Sequence, residues 1–304
     1  MNSGDILKKH LFFIIYTFIL TLGTILSLLA TFIFSVNYED QGIVGLVQEI
    51  PTYKKGKVTW TDTSYEDDNI SIKINIVRRY DTTCYIADVK IKHLAYLQAA
   101  LAKNEFGRNI REYPTIMAKR NHAILAINGD YYGFRDKGLV IRNGVLFDPT
   151  REPRKDKDLL IIDKDGKFNI IPEEEANIVE AHNAGAWQSF CFGPGLLIDG
   201  NLAVSKYTEV DAYKTSNPRT AIGYIDDLHY MLVVSDGRTE TEKGLSLLEL
   251  AKVMQEFGCV DAYNLDGGGS SVMIFNDEII NKPTSDGEKI RERSSSSDIV
   301  YIGY

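Results

Sequence analysis

The chain has 304 residues, 44% of them hydrophobic and 25% charged, so it contains enough apolar material for a sizeable folded core. Its formal charge is −8, and because the first 36 residues carry +1 from Lys8, Lys9 and Asp5, the rest of the chain carries −9. A chain this acidic is not expected to bind nucleic acid.

The first predicted element is a transmembrane helix over residues 11–36. This stretch contains no charged residue and is longer than the roughly 20 apolar residues that span a bilayer. Because Lys8 and Lys9 precede it and acidic residues follow it, we predict a single-pass cell-membrane anchor, with residues 1–10 in the cytoplasm and the rest of the chain outside. A cleaved signal peptide is the alternative, although its apolar region is normally shorter.

Residues 37–69 contain few periodic apolar positions and are predicted to form a stalk or linker. From Ile70 to Ile76, isoleucines alternate with polar residues, which is the period-two pattern of a half-buried strand. A globular domain is therefore predicted over residues 70–304.

The first half of this domain is predicted to mix strands and helices. Tyr85–Ile91 has a strand pattern, and Leu94–Phe106 is predicted to be a helix. Pro114–His122 is predicted to be a short helix with proline in its first turn. Ala123–Ile127 follows as a short buried strand. The dipeptide Asp165-Gly166 is typical of a hairpin turn. A calcium-binding loop is not predicted there, because the ligand spacing of such a loop is absent.

The second half begins with two predicted strands, Arg219–Ile225 and His229–Val234, joined by a polar turn. The best marked helix follows them: Ser246 and Glu249 have the spacing of a capping box, and Gly258 suits the C-terminal cap.

Two further strands, Val260–Leu265 and Ser271–Phe275, flank a glycine-rich loop. Strands and helices do not alternate regularly along the chain. The sequence therefore predicts an α+β fold, in which a mixed β-sheet with flanking helices is preceded by one N-terminal transmembrane helix.

Four predicted strand ends combine polar side chains with glycine or proline, and loops at strand ends are where protein scaffolds commonly place reactive groups. They are Asn128-Gly129-Asp130, Asn217-Pro218-Arg219-Thr220, Ser235-Asp236-Gly237-Arg238 and the segment 264–271. In the last of them, three consecutive glycines follow Asp266, and their missing side chains would let backbone N–H groups converge on an anion or a sugar. A structural turn capped by Asp266 is the alternative.

Arginines and aspartates in these loops indicate chemistry on a phosphate-linked sugar. Arg219 and Arg238 could form paired hydrogen bonds with phosphate oxygens, although each could instead pair with a neighbouring carboxylate. Asp130, Asp236 and Asp266 could supply the carboxylates that glycosidic hydrolysis needs, one to activate water or attack carbon and another to assist departure.

The sequence contains no pattern that indicates one of several other common chemistries. The serines after the glycines lack the G-x-S-x-G elbow, and the chain has no P-loop. The histidines show no close pairing, and Cys84, Cys191 and Cys259 lie far apart, so neither a metal nor a cofactor is expected. Buried free thiols are predicted, with one disulfide plus one free thiol as the alternative.

Five ordered motifs resemble those of the phosphodiester glycosidase domain family, and the resemblance covers roughly residues 70–304. The motifs are AINGDYYGF (126–134), FGPGLLIDG (192–200), NPRTAIGY (217–224), VVSDGR (233–238) and AYNLDGGGSSVMIF (262–275). This resemblance implies an extracytoplasmic hydrolase that cleaves the bond between a sugar's anomeric carbon and a phosphate, in a surface glycan or glycoconjugate such as an exopolysaccharide.

The resemblance also implies roles for particular residues. Those expected in catalysis are Asp130, Asp236, Asp266 and Arg219, and those expected to bind substrate are Asn128, Arg238, Gly267, Gly268, Gly269 and Ser270. A phosphate ester is already a good leaving group, so arginines that stabilise its charge could replace much of a general acid. Which aspartate activates water stays open. The expected partners are the phosphate-linked carbohydrate and, through the N-terminal helix, the membrane.

Two other functions remain open from the residues alone. A non-catalytic module that binds an anionic glycan during exopolysaccharide or wall assembly would use the same arginines but not the acids. A metal-dependent phosphodiesterase that cuts the P–O bond would need carboxylates clustered around a divalent ion.

Overall fold

A computed structural model describes residues 55–208, 216–293 and 296–304, together with Thr17 and Thr21. The chain divides into two units, Met1–Ile43 and Val44–Tyr304. In the first unit, Thr17 and Thr21 are helical, and the Thr21 hydroxyl donates a hydrogen bond to the Thr17 carbonyl oxygen at 2.9 Å.

Apart from those two threonines, the predicted membrane anchor over residues 11–36 lies outside the described residues, as do residues 1–10 and the first part of the predicted stalk. No helix formed by the described residues is both long enough and apolar enough to cross a membrane.

The second unit is built mainly from short strands. Within its described residues they are β1 (Thr59–Thr61), β2 (Ser64–Glu66), β3 (Ile70–Arg79), β4 (Thr82–Ile91), β5 (Leu97–Leu101), β6 (Leu125–Asn128), β7 (Val140–Arg142), β8 (Val145–Phe147), β9 (Asp158–Ile162), β10 (Phe168–Pro172), β11 (Gln188–Phe190), β12 (Gly195–Ile198), β13 (Asn201–Leu202), β14 (Arg219–Asp226), β15 (His229–Ser235), β16 (Asp261–Asn264), β17 (Met273–Phe275), β18 (Glu278–Ile279) and β19 (Asp298–Ile302).

These strands form two large and two small sheets. The largest has the order β1-β2-β3-β4-β15-β14-β16-β12-β13, and the next has the order β18-β17-β6-β19-β5. The strands β10-β9-β11 and β7-β8 make the small sheets. All of the described strand pairs are antiparallel, so the fold mixes sheets with helices but does not mix strand directions.

Three α-helices accompany the sheets in this part of the chain: α1 (Pro114–Arg120), α2 (Ile178–Asn183) and α3 (Leu247–Glu256). Short 3₁₀ turns occur at Leu94–Tyr96, Ala102–Asn104, Tyr132–Phe134, Glu173–Glu175 and Gly268–Ser270. The predicted capping box is confirmed at the start of α3, where the Ser246 hydroxyl accepts from the Glu249 N–H and the Glu249 carboxylate accepts from the Ser246 N–H.

The two large sheets pack face to face, and one helix covers the outer face of each. Between the sheets, alternate residues of the nine-stranded sheet, such as Ile72 and Val89, pack with Ile127 of the five-stranded sheet. Ile86 points to the opposite face of β4 and packs with residues of α3. On the outer face of the five-stranded sheet, Ala126 of β6 packs with residues of α1. Each fully buried isoleucine of this kind stabilises the fold by roughly 1.5–3 kcal/mol.

The coarse prediction, a sheet-dominated α+β domain with a few flanking helices, is confirmed. The predicted helix over Leu94–Phe106 is wrong in its middle, because Leu97–Leu101 forms strand β5 and pairs with β19. Alanine-rich sequence favours a helix only weakly, and pairing along a whole neighbouring strand overrides that preference.

The domain also begins earlier than residue 70. Strands β1 and β2, which fall in the predicted stalk, extend the nine-stranded sheet through β3, and Tyr65 is buried. Tyr65 and Tyr304 both donate hydrogen bonds to the Asp67 carboxylate, which fastens this segment to the body of the domain. The three cysteines are buried and free, as predicted.

Candidate active site

Strand ends from both large sheets meet at one edge of the sandwich. Arg219 at the start of β14 pairs with Ser235 at the end of β15, and Asn264 at the end of β16 pairs with Ala221. The end of β6, at Asn128, lies against the loop that follows β16, because its side-chain amide donates to the Asp266 carbonyl oxygen at 2.6 Å. Motifs that are far apart in the sequence are therefore neighbours here.

A cavity of about 490 Å³ opens at this edge. Of the residues predicted to form the site, Arg219, Arg238, Asp266, Gly267, Gly268 and Gly269 line it. Its wall also contains Tyr131, Arg135, Phe192, Asn217, Ser285 and Arg293. Asp266 is the one acidic residue among the described lining residues.

Each of the three glycines packs against a different arginine of the cavity. A β-carbon on Gly267 would lie 3.9 Å from the Arg219 Cδ, and one on Gly269 would lie 2.7 Å from the Arg293 Cδ. Gly268 has a φ of +60°, and a β-carbon there would lie 2.7 Å from the Arg238 Nη2. Gly268 thus needs to be glycine for close packing against the Arg238 guanidinium and for its left-handed backbone, and Gly269 for its close approach to Arg293 and Ser285. The Gly267 contact with Arg219 is an ordinary van der Waals contact.

The glycine loop is held by hydrogen bonds to neighbouring segments. The Gly268 N–H donates to the Pro218 carbonyl oxygen at 2.8 Å, and the Asp266 N–H donates to the Gly129 carbonyl oxygen at 3.2 Å. The prediction that backbone N–H groups of this loop converge on a ligand is therefore wrong for Gly268, whose N–H is used within the protein.

Asp266 lies partly exposed on the wall of the cavity. Burial raises the pKa of Asp266 to about 6, and the negative charge of Asp130 adds to the rise. A hydrogen bond from Ser270 and the positive charges of Arg135 and Arg293 act against it. A carboxyl group with a pKa near neutrality can both accept and donate a proton under ordinary conditions, which suits a catalytic acid or base.

Both predicted arginines are fixed in place by the protein. The Arg219 side chain is buried and its Nε donates to the Leu245 carbonyl oxygen at 2.9 Å. The Arg238 Nε and Nη2 donate to the Asn217 Oδ1 at 3.2 and 3.0 Å, and its Nη1 donates to the Ser285 carbonyl oxygen at 2.9 Å. Guanidinium groups positioned in this way can stabilise an anion without first being ordered.

Asn128 supports the loop but does not line the cavity. Besides its bond to Asp266, its Oδ1 accepts from the Thr220 hydroxyl at 2.8 Å and from the Val272 N–H at 3.1 Å. One buried amide thus links β6, β14 and the residues after the glycines. The structure places Asn128 as a support of the site and not at its surface. Ser270 is also buried, and its hydrogen bond to the Asp266 carboxylate lowers the pKa of that group.

Asp236 is likewise buried away from the cavity wall. Its carboxylate accepts from the Lys282 N–H at 2.7 Å, from the Asn281 amide at 3.4 Å and from the Tyr85 hydroxyl at 3.2 Å. Burial raises the pKa of Asp236 above its usual value, although these hydrogen bonds oppose the rise. Asp236 therefore holds the segment that leads to Ser285, and the structure does not bring it to the cavity with Asp266.

Asp130 is buried behind the cavity wall. Its carboxylate accepts from the backbone N–H groups of Tyr131 at 2.5 Å and Cys191 at 2.6 Å. Burial alone would raise the pKa of Asp130, but the guanidinium groups of Arg135 and Arg142 and the Cys191 N–H hold it below its usual value. The structure thus separates the three predicted aspartates: one lines the cavity and two support it.

Six residues of the cavity wall were not assigned to the site from the sequence: Tyr131, Arg135, Phe192, Asn217, Ser285 and Arg293. Tyr131 and Phe192 stand inside two of the quoted motifs and Arg135 directly follows one, so proximity to a motif could have indicated them. Arg293 has no such signal, because it is brought to the cavity by the long segment after β18. Among the described residues, no three His, Cys, Asp or Glu side chains are grouped as ligands of a metal ion.

Comparison with known proteins assigns the family. The family model described as phosphodiester glycosidase matches residues 121–301, which is more than half of the chain. The chain therefore belongs to the phosphodiester glycosidase family.

Individual relatives match over shorter stretches. The SPbeta prophage-derived uncharacterized protein YomE of Bacillus subtilis (strain 168) is 30% identical over 187 residues, covering 60% of this chain and 29% of that protein. N-acetylglucosamine-1-phosphodiester alpha-N-acetylglucosaminidase of Mus musculus is 29% identical over 101 residues, covering 29% of this chain and 19% of that protein. The chain thus spans less than a third of the length of either relative.

Among solved structures, the fold is similar to that of the zebrafish N-acetylglucosamine-1-phosphodiester alpha-N-acetylglucosaminidase catalytic domain auto-inhibited by pro-peptide. The TM-score is 0.60 at 19% sequence identity, over 77% of this chain and 83% of that one. A putative exported protein from Burkholderia pseudomallei K96243 also matches, with a TM-score of 0.50 at 15% identity over 73% of this chain and 74% of the other. At such identities the likeness concerns the fold alone.

Proposed function

We propose that this chain hydrolyses the glycosidic bond of a sugar-1-phosphodiester in a surface glycan or glycoconjugate. The observation that carries the proposal is the cavity in which Asp266, with its pKa near 6, shares the wall with Arg219, Arg238 and the glycine loop. A carboxylate beside fixed guanidinium groups is the combination that cleavage of a sugar from a phosphate needs. Membership of the phosphodiester glycosidase family supports the same reaction class.

The proposed step is attack of water on the anomeric carbon. A new bond forms between the water oxygen and this carbon, while the bond from the carbon to the phosphate oxygen breaks and leaves its electron pair on the phosphate. The proton lost by the water passes to the Asp266 carboxylate. Arg219 and Arg238 stabilise the negative charge that the departing phosphomonoester gains. The products are a free sugar and a phosphomonoester.

Asp130 and Asp236 support this chemistry from behind the wall. In the described part of the chain they are hydrogen-bonded to backbone and side-chain groups of the site loops, not directed into the cavity. We therefore assign the reacting carboxylate to Asp266.

The cellular location is proposed from the sequence. The uncharged stretch over residues 11–36, with lysines before it, supports a single-pass anchor and an extracytoplasmic domain. Such a location would give the cavity access to surface glycans.

The decisive experiment is hydrolysis of a set of sugar-1-phosphodiesters by the full-length chain in ¹⁸O-labelled water. Cleavage of the carbon–oxygen bond puts the label on the sugar and leaves the phosphomonoester unlabelled. Label in the phosphomonoester would show phosphodiesterase chemistry, and binding without product would show a glycan-binding module. Asp266→Asn should lose about 10²–10⁴-fold in turnover, whereas Asp277→Asn, at an exposed turn away from the cavity, should keep wild-type activity.

A further inference from the structure

Arg135 occupies an unusually constrained position in the cavity wall. Its guanidinium group lies 5.4 Å from the centre of the Tyr131 ring and 4.8 Å from that of Phe192, distances typical of cation–π contacts. Its Nη1 donates to the Cys191 carbonyl oxygen at 3.0 Å, and its side chain is only 19% exposed. The guanidinium is therefore oriented by the protein before any ligand arrives.

Asp130 lies directly behind this arginine. Its Oδ1 is 3.9 Å from the Arg135 Nη1, and the same carboxylate accepts the backbone N–H groups of Tyr131 and Cys191. Those two hydrogen bonds belong to the two segments that supply the aromatic rings around Arg135. The buried Asp130 carboxylate is thus the ionic partner of Arg135 and also fixes the two segments whose aromatic rings contact Arg135.

The ionic contacts continue into the core. The Arg142 Nη2 lies 3.8 Å from the Asp130 Oδ2 and 2.7 Å from the Asp298 Oδ2, and the Asp298 Oδ1 accepts from the Asp130 N–H at 2.8 Å. Burial raises the pKa of Asp298 to about 6, while the Arg142 charge opposes the rise.

Charges of opposite sign therefore alternate from the core to the cavity. We call this series the charge row: Asp298, Arg142, Asp130 and Arg135 are linked by ionic contacts, and Asp266 shares the cavity wall with Arg135. A buried charge is tolerated when it is paired with an opposite charge and hydrogen-bonded, and each internal member of the row meets this condition.

We infer that Arg135 keeps Asp266 ionised for catalysis and that Asp130 acts through Arg135, as a positioning residue, and not on the substrate. This inference rests on the proposed function and names two residues that serve the same site. The other charged groups near Asp266 are Arg293, which favours its ionised form as Arg135 does, Asp130, whose negative charge opposes that form, and Arg219 and Arg238 on the cavity wall. Among these, Arg135 is the one that the buried carboxylate fixes from behind.

The first test needs no substrate. The carboxyl carbon of Asp266 is titrated by NMR in the ¹³C-aspartate-labelled full-length chain and assigned with Asp266→Asn. In Arg135→Gln the pKa of Asp266 should rise above its value of about 6, and in Arg135→Lys, which keeps the charge, it should rise less. Arg108→Gln, which removes an exposed arginine outside the cavity wall, should leave it unchanged. An unchanged titration of Asp266 in Arg135→Gln would overturn the inference.

The second test is a double-mutant cycle on kcat/KM with Arg135→Gln and Asp130→Asn. Arg135→Gln should lower kcat/KM about 10²-fold and move the acidic limb of its pH profile to higher pH. If Asp130 acts through Arg135, the double variant should be no slower than Arg135→Gln alone, whereas multiplied losses would show an independent role and overturn that part. Asp130→Glu, which keeps the buried charge but displaces it, replaces Asp130→Asn if the amide does not fold.

The two tests separate the inference from the proposed function. A wild-type chain that hydrolyses no sugar-1-phosphodiester would refute the function, while the coupling between Arg135 and Asp266 would still be measured by the NMR titration.

Discussion

Gly268 and Arg238 are in direct contact, because a β-carbon on the glycine would lie only 2.7 Å from the Arg238 Nη2. The glycine also has a φ of +60°, in the left-handed region that other residues adopt at a cost. Arg238 is held in turn by Asn217 and Ser285, so it has little room to move away.

Gly268→Val should therefore abolish activity and destabilise the fold by roughly 1–2 kcal/mol. The strain comes from the left-handed backbone, and the loss of activity comes from displacement of Arg238. Gly258→Ala is the matched control, because Gly258 also has a positive φ, of +88°, but has open space where the side chain would go. It should lose stability and keep kcat/KM. A fully active Gly268→Val chain would show that the loop does not shape the site.

Asp266→Asn and Asp236→Asn should differ, although both remove an aspartate of the predicted site. Loss of the group that takes the proton should lower kcat by about 10²–10⁴-fold in Asp266→Asn, with a much smaller change in substrate affinity. Asp236 holds the segment at Lys282, so Asp236→Asn should lower kcat by less than about tenfold and act mainly on KM and stability. Steady-state kinetics of both variants, with a thermal-unfolding check on each, measures this difference. Equal losses of kcat would place Asp236 in the chemistry.

Asp266 should make the folded state less stable at neutral pH than at acidic pH. Its folded pKa of about 6 lies above the ordinary value of 3.8, so the folded state binds its proton more tightly than the unfolded state does. That contribution to stability is fully present below pH 3.8 and is lost as the pH rises through about 6.

Asp266→Asn should therefore increase the free energy of unfolding by roughly 1–3 kcal/mol at pH 7.5, and the gain should shrink towards pH 4. Urea unfolding of both chains at pH 4.5, 6 and 7.5 measures it. A gain that does not depend on pH would mean that the raised pKa is not its cause.

Arg219→Ala and Arg238→Ala should weaken both substrate affinity and turnover, because a charge-assisted bond to phosphate operates in the bound substrate and in the transition state. We expect about 10²-fold lower kcat/KM for each. Lysine at either position should restore activity only in part, since it lacks the planar fork of donors. Arg79→Ala, which removes an exposed arginine paired with Glu256, is the control and should behave as wild type.

Protease added to intact wall-stripped cells should digest the domain over residues 59–304, because the charge distribution around residues 11–36 predicts an extracytoplasmic location. A cytoplasmic marker protein should survive the same treatment. Complete protection of the domain, with the marker also intact, would contradict the topology.

Much of the fold follows from local patterns. The capping box at Ser246, the alternating isoleucines of β3 and the turn between β14 and β15 are each specified by residues close in sequence, and the structure has all three. Leu97–Leu101 was predicted incorrectly because its strand state depends on β19, whose residues come about 200 positions later.

Part of the cavity wall was likewise indicated by residues that are close together in the sequence. The glycine loop, Arg219 and Arg238 stand out because glycine, proline and charge occur together over a few residues. The sequence could not distinguish a carboxylate on the cavity wall from a carboxylate buried behind the wall. Asp130 and Asp266 both stand next to glycine, and only the contacts of Asp130 with the segment at Cys191 show that it is enclosed. Such contacts depend on the tertiary arrangement.

The place of β19 in its sheet has a consequence for biosynthesis. β19 lies between β5 and β6, which leave the ribosome far earlier, and its first residue, Asp298, is a member of the charge row. Until β19 is synthesised, both earlier strands lack their common neighbour and Arg142 lacks the nearer of its two acidic partners. Pairing over such a sequence distance is slow to form. The cavity of the proposed active site is therefore expected to assemble only after β19 has been synthesised, and a ribosome-bound chain ending before Asp298 should show no activity.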